Sequence, residues 1–145
     1  MRNLIWIVPL LALVGGVSFG IIKLLESDTS TGYVPETQAL VTQMRAVVET
    51  GKQQRDFARF QQQSGILMTD MNAFRERYEN SAHTPLASFG GTLTAYKAVM
   101  DVRDAWQAVV SGAQSEFQGR ERIKRALAQA ESALDEAQSG LSRGN

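Results

Sequence analysis

The fold is decided by residues 41–61, which read VTQMRAVVETGKQQRDFARFQ. Apolar side chains on both sides of the polar centre recur at a spacing near 3.5, which is typical of a helix buried along one seam. The seam continues to Tyr78, and small or polar layers at Gly51, Gln54 and Ser64 keep its phase. This continuity favours a single long helix over residues 35–78. Its apolar seam is Leu40, Met44, Val47, Phe57, Phe60, Leu67, Met71, Phe74 and Tyr78.

Two shorter helices are expected after this long one. Residues 80–91 contain turn and cap chemistry together with a glycine pair, which predicts a break. A second helix over residues 86–111 would end at Gly112 as a left-handed cap. Ser115 and Gln118 resemble a capping box for a third helix over residues 116–139, which Gly140 would close. No stretch alternates strictly between apolar and polar residues, so an all-α domain without a sheet is predicted.

The helix lengths do not match in a three-helix bundle. Residues 35–78 would make a helix of ~66 Å, whereas the other two would measure ~39 and ~36 Å. Helices two and three could then cover only the distal half, and residues 35–50 would form an exposed stalk that binds a partner. The stalk would display Leu40, Val41, Met44, Val47 and Val48. The alternative is that the long helix folds back near Gly51 to give a four-helix bundle of nearly equal arms.

The amino-terminal part of the sequence predicts a membrane anchor. Residues 4–22 carry no charge and would span ~28 Å as a helix, close to the ~30 Å hydrocarbon thickness of a bilayer. The run exceeds the hydrophobic core of a cleaved signal peptide, so a retained, single-pass signal-anchor over residues 1–25 is expected. A polar linker over residues 26–34 would connect it to an extramembrane helical domain over residues 35–145.

Small residues within this run indicate helix packing in the membrane. Ala12, Gly16 and Gly20 recur every four residues, a spacing that lets a second helix approach closely. The same glycines flank Ser18 in a G-x-S-x-G pattern, but a nucleophile elbow needs a strand and an activating base. Arg2 weakly favours a cytoplasmic amino terminus, which would place the helical domain in the periplasm of a bacterial inner-membrane protein.

The amino-acid composition limits the kinds of functional site that the chain can form. The 145-residue chain has no cysteine and one histidine, and its 15 basic residues balance its 15 acidic ones, which argues against a nucleic-acid binder. Glu79 and His83 straddle a predicted helix end, so no metal site is expected. Asp101 and Asp104 are interpreted as surface charges. A basic cluster could contact anionic lipid or an acidic partner; it comprises Arg120, Arg122, Lys124 and Arg125.

These observations predict a non-enzymatic protein without a cofactor or small-molecule substrate. We expect a structural, accessory or assembly subunit that docks on a larger membrane complex or associates with itself, through its membrane helix and its apolar stalk. The alternative is an extracytoplasmic sensory or ligand-binding bundle that signals through a partner. In that case an aromatic cluster would enclose the ligand, and its members would be Phe74, Tyr78, Tyr96 and Trp106.

Overall fold

The computed structural model describes residues 29–143, which contain four α-helices and no strand. The helices are α1 (Thr29–Gln53), α2 (Phe57–Tyr78), α3 (Leu86–Val110) and α4 (Glu116–Arg143). Residues from Tyr33 onward form one compact unit, and the packing below is that of this unit. The all-α prediction is confirmed. Within residues 29–143, no helix combines the length and apolarity that a bilayer crossing requires. The predicted anchor over residues 1–25, with Ala12, Gly16 and Gly20, lies outside the described residues.

Residues 54–56 form a sharp turn between α1 and α2. Gln54 has a φ of 46°, in the left-handed region that helices do not use, and its N–H donates to Gly51 O at 3.2 Å. Two residues later, the Asp56 carboxylate accepts a hydrogen bond of 2.9 Å from Arg59 N and thereby caps the start of α2. The prediction of one long helix is therefore wrong, and the alternative that it folds back near Gly51 is confirmed.

The fold-back buries the residues that were expected to form a stalk. Their exposed fractions are 6% for Leu40, 2% for Val41, 0% for Met44, 1% for Val47 and 2% for Val48. The prediction of an exposed partner-binding stalk is wrong, because α2, α3 and α4 supply the cover that a three-helix arrangement could not. These five side chains instead contribute to the core of the bundle.

Each helix of the bundle packs against two neighbours. Helices α1 and α2 are joined by a hydrogen bond of 3.0 Å that Gln43 Nε2 donates to Asp70 Oδ2. Helices α1 and α4 are joined by an ion pair between Arg45 Nη2 and Asp135 Oδ1, also at 3.0 Å. Aromatic rings link α2 to α3: the Phe60 and Trp106 centroids are 5.3 Å apart. The closing contact of α3 and α4 makes a four-helix bundle with successive helices antiparallel.

The α3–α4 contact is a seam of small residues. A Cβ on Gly91 would lie 2.9 Å from Ala137 N, and one on Gly140 would lie 3.0 Å from Ser88 N. Ser88, Gly91 and the residues that follow repeat at alternating steps of three and four, which keeps the seam facing one way. The other buried small residues of the two helices are Ala95, Ala98, Ala105, Gly119, Ala126, Ala130, Ala133 and Ala137.

Several helix ends differ from their predictions. The polar linker was expected to reach Val34, but α1 begins at Thr29, because Tyr33 has a core position to fill. Gly140 does not end α4, which continues to Arg143, since this glycine is needed where the helix meets α3. Gly112 has the expected left-handed conformation, with a φ of 76°.

Candidate functional site

The side chains considered for chemistry do not come together. His83 is exposed in the loop between α2 and α3, and Asp101 and Asp104 are exposed on α3. Within residues 29–143, no group of three or more histidine and carboxylate side chains is arranged to hold a metal ion. The surface-charge interpretation of Asp101 and Asp104 agrees with their exposure.

The four aromatic residues proposed to enclose a ligand belong to separate clusters. Phe74 and Tyr78 have ring centroids 5.0 Å apart, and Phe74 also stacks on Phe89 at 5.7 Å. Trp106 instead packs against Phe57 and Phe60. Because Phe89 and Trp106 are separated by 17 residues of one helix, the clusters lie ~25 Å apart, and one small molecule cannot contact both. Tyr96 is half-buried between them along α3.

A buried polar cluster lies where α1 meets the start of α3. The hydroxyl groups of Tyr33 and Ser88 are 2.7 Å apart, and Ser88 Oγ also donates to Pro85 O at 3.2 Å. The Tyr33 ring packs edge-on against Tyr78, with centroids 5.0 Å apart. Thr37 Oγ1 donates to Tyr33 O at 2.7 Å, so each of these hydroxyl groups has a partner. This cluster fixes the first turns of the bundle.

An ion pair completes this end of the bundle. Arg77 Nη1 donates to Glu36 Oε1 at 2.5 Å, and the Glu36 residue is only 8% exposed. Burial raises the pKa of Glu36, although the positive charge of Arg77 opposes the shift. Burial, with a smaller contribution from the negative charge of Glu36, raises the pKa of Tyr78 to about 12. The pair and the phenol are structural elements of the core.

The opposite end of the bundle carries a polar groove between α1 and α4. It has a volume of about 590 Å³, and it is lined in part by Lys52, Arg120 and Lys124 together with Glu121 and Glu131. Lys52 donates to the carboxylates of Glu131 and Glu49, and these bonds raise the pKa of Lys52. The basic cluster seen in the sequence is therefore partly neutralised at this groove.

The basic cluster divides between the groove and the outer surface of α4. Arg120 pairs with Glu116 one helical turn before it. Arg122 and Arg125 are exposed on α4 outside the groove lining, and neither forms an ion pair within residues 29–143. Exposed charges of both signs thus dominate α4, and the salt dependence of any contact made there should be strong.

The outer face of α2 has the opposite character. Ile66 is 53% exposed and Met68 is 39% exposed. Between Arg59 and Arg75, the one charged residue is Asp70, whose carboxylate accepts a hydrogen bond from Gln43. About 24 Å of an exposed helix therefore presents uncharged side chains to solvent. This face is thus a candidate contact surface.

The sequence contained a signal for this face that the periodicity argument did not use. Residues 60–69 read FQQQSGILMT, ten positions without a charge between Arg59 and Asp70, in a helix that is exposed along one side. Periodicity identifies the buried side of a helix, and it correctly placed Ser64, Leu67 and Met71 inward. It carries no information about unusual composition on the side that faces outward.

Comparisons with known proteins give no assignment: no protein-family model matches the chain, and neither a curated protein nor a solved structure shows significant similarity to it.

Proposed function

We propose that this protein is a non-enzymatic, single-pass membrane protein that serves as a structural or accessory subunit. The observation that carries the proposal is the uncharged run of residues 4–22, which precedes the helical bundle in the same chain. A bundle with a filled core offers surfaces for other proteins, and the uncharged outer face of α2 is such a surface. The proposed role is to hold this bundle at the membrane, where it docks on a membrane complex or on another copy of itself.

The residues that were predicted to form a partner-binding stalk cannot serve this role. Leu40, Met44 and Val47 are core residues, so contact with a partner has to use residues on the outside of the bundle. Within the membrane, Ala12, Gly16 and Gly20 remain the proposed packing face. The bundle would lie on the periplasmic side of a bacterial inner membrane, following the weak charge bias at the amino terminus.

The anchor is tested by extraction of the full-length protein from native membranes. We expect it to remain with the membrane in alkaline carbonate and to be released by detergent. The double variant Leu11→Arg, Leu13→Arg places two charges in the middle of the apolar run, and each should oppose insertion by about 3 kcal/mol. Recovery of the wild-type protein in the carbonate supernatant would contradict the anchor. Circular dichroism of both proteins controls for loss of the bundle.

Docking is tested by purifying the tagged protein in mild detergent and measuring the size of the complex. We expect a mass above that of one 15.9 kDa chain in its detergent micelle. A single chain at every protein concentration, with no other protein bound, would contradict the accessory role. The sensory alternative lacks an enclosing aromatic cage, because the residues on which it depends are divided between two clusters.

A further inference from the structure

The outer face of α2 contains a glycine that the bundle does not require. A Cβ on Gly65 would have no atom of the described chain within 4 Å, and its φ is not in the left-handed region. In contrast, a Cβ on Gly51, Gly91, Gly119 or Gly140 would press on a neighbouring helix. A glycine inside a helix costs about 1 kcal/mol relative to alanine, and at Gly65 no internal contact explains this cost.

Ile66 adds an exposed apolar side chain at the same level of the helix. It is 53% exposed, and within one turn of it the one charged residue is Asp70, whose carboxylate accepts a hydrogen bond from Gln43. A gap at Gly65 beside a knob at Ile66 is the arrangement that two helices need for close packing. The exposed, uncharged neighbours on this face include Ala58, Gln62, Thr69 and Asn72.

We infer that the outer face of α2 binds the same face of a second copy, with the two helices antiparallel. A two-fold axis between Gly65 and Ile66 places Ile66 of each copy over Gly65 of the other. The same register places Ala58 opposite Ala73, so small residues meet on both sides of the centre. A surface of polar, uncharged side chains can pair with itself, whereas a charged partner would find between Arg59 and Arg75 a single charge, Asp70, which already accepts a hydrogen bond from Gln43.

The charges at the two ends of the face support this register. In the antiparallel arrangement, Arg55 lies opposite Glu76, and Asp56 lies opposite Arg75. Arg55 and Glu76 are both exposed, and neither forms an ion pair within residues 29–143. A parallel pairing would place each of these charges opposite its own copy, and like charges repel. Opposite charges at both ends therefore favour the antiparallel pair over the parallel one.

The inference deepens the proposed function and rests on it for the idea that self-association is what the bundle does. The pairing surface on α2 and the antiparallel register of the two helices do not depend on residues 4–22. Carbonate extraction measures insertion, whereas cross-linking in detergent measures pairing of α2. The two proposals can therefore fail separately.

Cross-linking can test the register because the chain contains no cysteine, so each introduced cysteine is the single thiol. In full-length protein in detergent, we expect Ile66→Cys to form a disulfide-linked dimer under mild oxidation. Ser132→Cys, on the exposed side of α4, is the matched control and should remain at least fivefold less cross-linked. Equal cross-linking of the two variants would overturn the inference.

A mixed pair distinguishes the two orientations. Arg55→Cys alone should not cross-link, because the two copies of residue 55 would lie ~31 Å apart in the antiparallel register. A mixture of Arg55→Cys and Glu76→Cys proteins should give a heterodimer. Cross-linking of Arg55→Cys to itself, without the mixed product, would overturn the antiparallel register.

A substitution at the centre gives an independent readout. We expect Ile66→Arg to weaken dimerisation at least tenfold in sedimentation equilibrium, because two buried like charges would face each other. Gln129→Arg adds the same charge on the exposed side of α4 and should leave dimerisation unchanged. Unchanged helicity and melting temperature confirm folding, and an unaltered dimer in Ile66→Arg would contradict the inference.

Discussion

Gly91 and Ala137 are in such close contact that a Cβ on Gly91 would lie 2.9 Å from the backbone nitrogen of Ala137. Backbone meets backbone here, so the neighbour cannot move aside as a flexible side chain would. Gly140 and Ser88 make the equivalent contact about one helical turn away along the same seam, because each lies three residues from its counterpart in its own helix. The separation of α3 and α4 is therefore set by the absence of side-chain atoms at these positions.

Gly91→Ala should destabilise the protein although alanine is the better helix former. We expect the free energy of unfolding to fall by about 1–3 kcal/mol, because the added methyl group forces α3 and α4 apart. Gly90→Ala is the matched control, since a Cβ there meets no atom within 4 Å. It should raise the free energy of unfolding by up to about 1 kcal/mol. Urea denaturation of both variants measures the difference, and equal shifts would contradict the close contact.

Substitution of Met44 tests whether α1 is a core helix or an exposed stalk. Met44 is 0% exposed, so Met44→Ala should lower the free energy of unfolding by about 2–5 kcal/mol through loss of buried contacts. Met68→Ala removes the same side chain from a site that is 39% exposed, and it should cost less than about 1 kcal/mol. Thermal and urea unfolding provide the comparison. Small, equal effects would support the stalk instead.

Much of this fold follows from periodicity. The start of α3 at Leu86, the start of α4 at Glu116 and the left-handed Gly112 agree with the sequence-based expectations. Buried residues of α4 such as Ile123, Leu127 and Leu134 recur at steps of four and seven, as helical periodicity requires. These features are local, because caps and apolar spacing act within a few residues.

The phase of the apolar spacing could not show whether α1 and α2 are one continuous helix or two. A seam that stays in phase is compatible with a continuous helix and also with a hairpin whose two arms face the same core. The local signal was Asp56, which precedes Phe57 and caps α2 through Arg59 N. Gln54 gave no indication of the turn, because the left-handed conformation that it adopts is usually occupied by glycine or asparagine.

Apolar periodicity could not identify the candidate contact face, for a different reason. Gly65 and Gly91 look alike in the sequence, and only the positions of neighbouring atoms show that one is needed for internal packing and the other is not. Helix α3 gives a similar lesson, because Val110 is apolar and yet 58% exposed. Small residues such as Ala95 and Ala98 take the buried seam instead.

Gln54→Gly distinguishes a turn from a continuous helix by the sign of its effect. At a φ of 46°, glycine avoids a steric cost of about 1–2 kcal/mol, so we expect a net gain in the free energy of unfolding of up to about 1 kcal/mol. In a continuous helix, the same change would lose about 1 kcal/mol. Gln53→Gly, inside α1, is the control and should be destabilising. Chemical denaturation measures both.

Tyr78 should make the stability of the protein fall steeply in alkali. Its pKa is raised from the ordinary 10.0 to about 12, so the folded state holds the phenolic proton more tightly than the unfolded state does. The resulting stabilisation is present below pH 10 and is lost as the pH rises from about 10 to about 12.

Tyr78→Phe should remove this part of the alkaline transition, because phenylalanine keeps the ring contact with Phe74 but has no proton to lose. We expect the free energy of unfolding of the variant to decline less than that of the wild type between pH 10 and 12. Tyr96→Phe, at a half-buried position on α3, serves as the control and should retain the wild-type decline. Urea denaturation at a series of pH values measures the slopes. Parallel slopes for the wild type and Tyr78→Phe would show that burial of this phenol does not produce the alkaline loss.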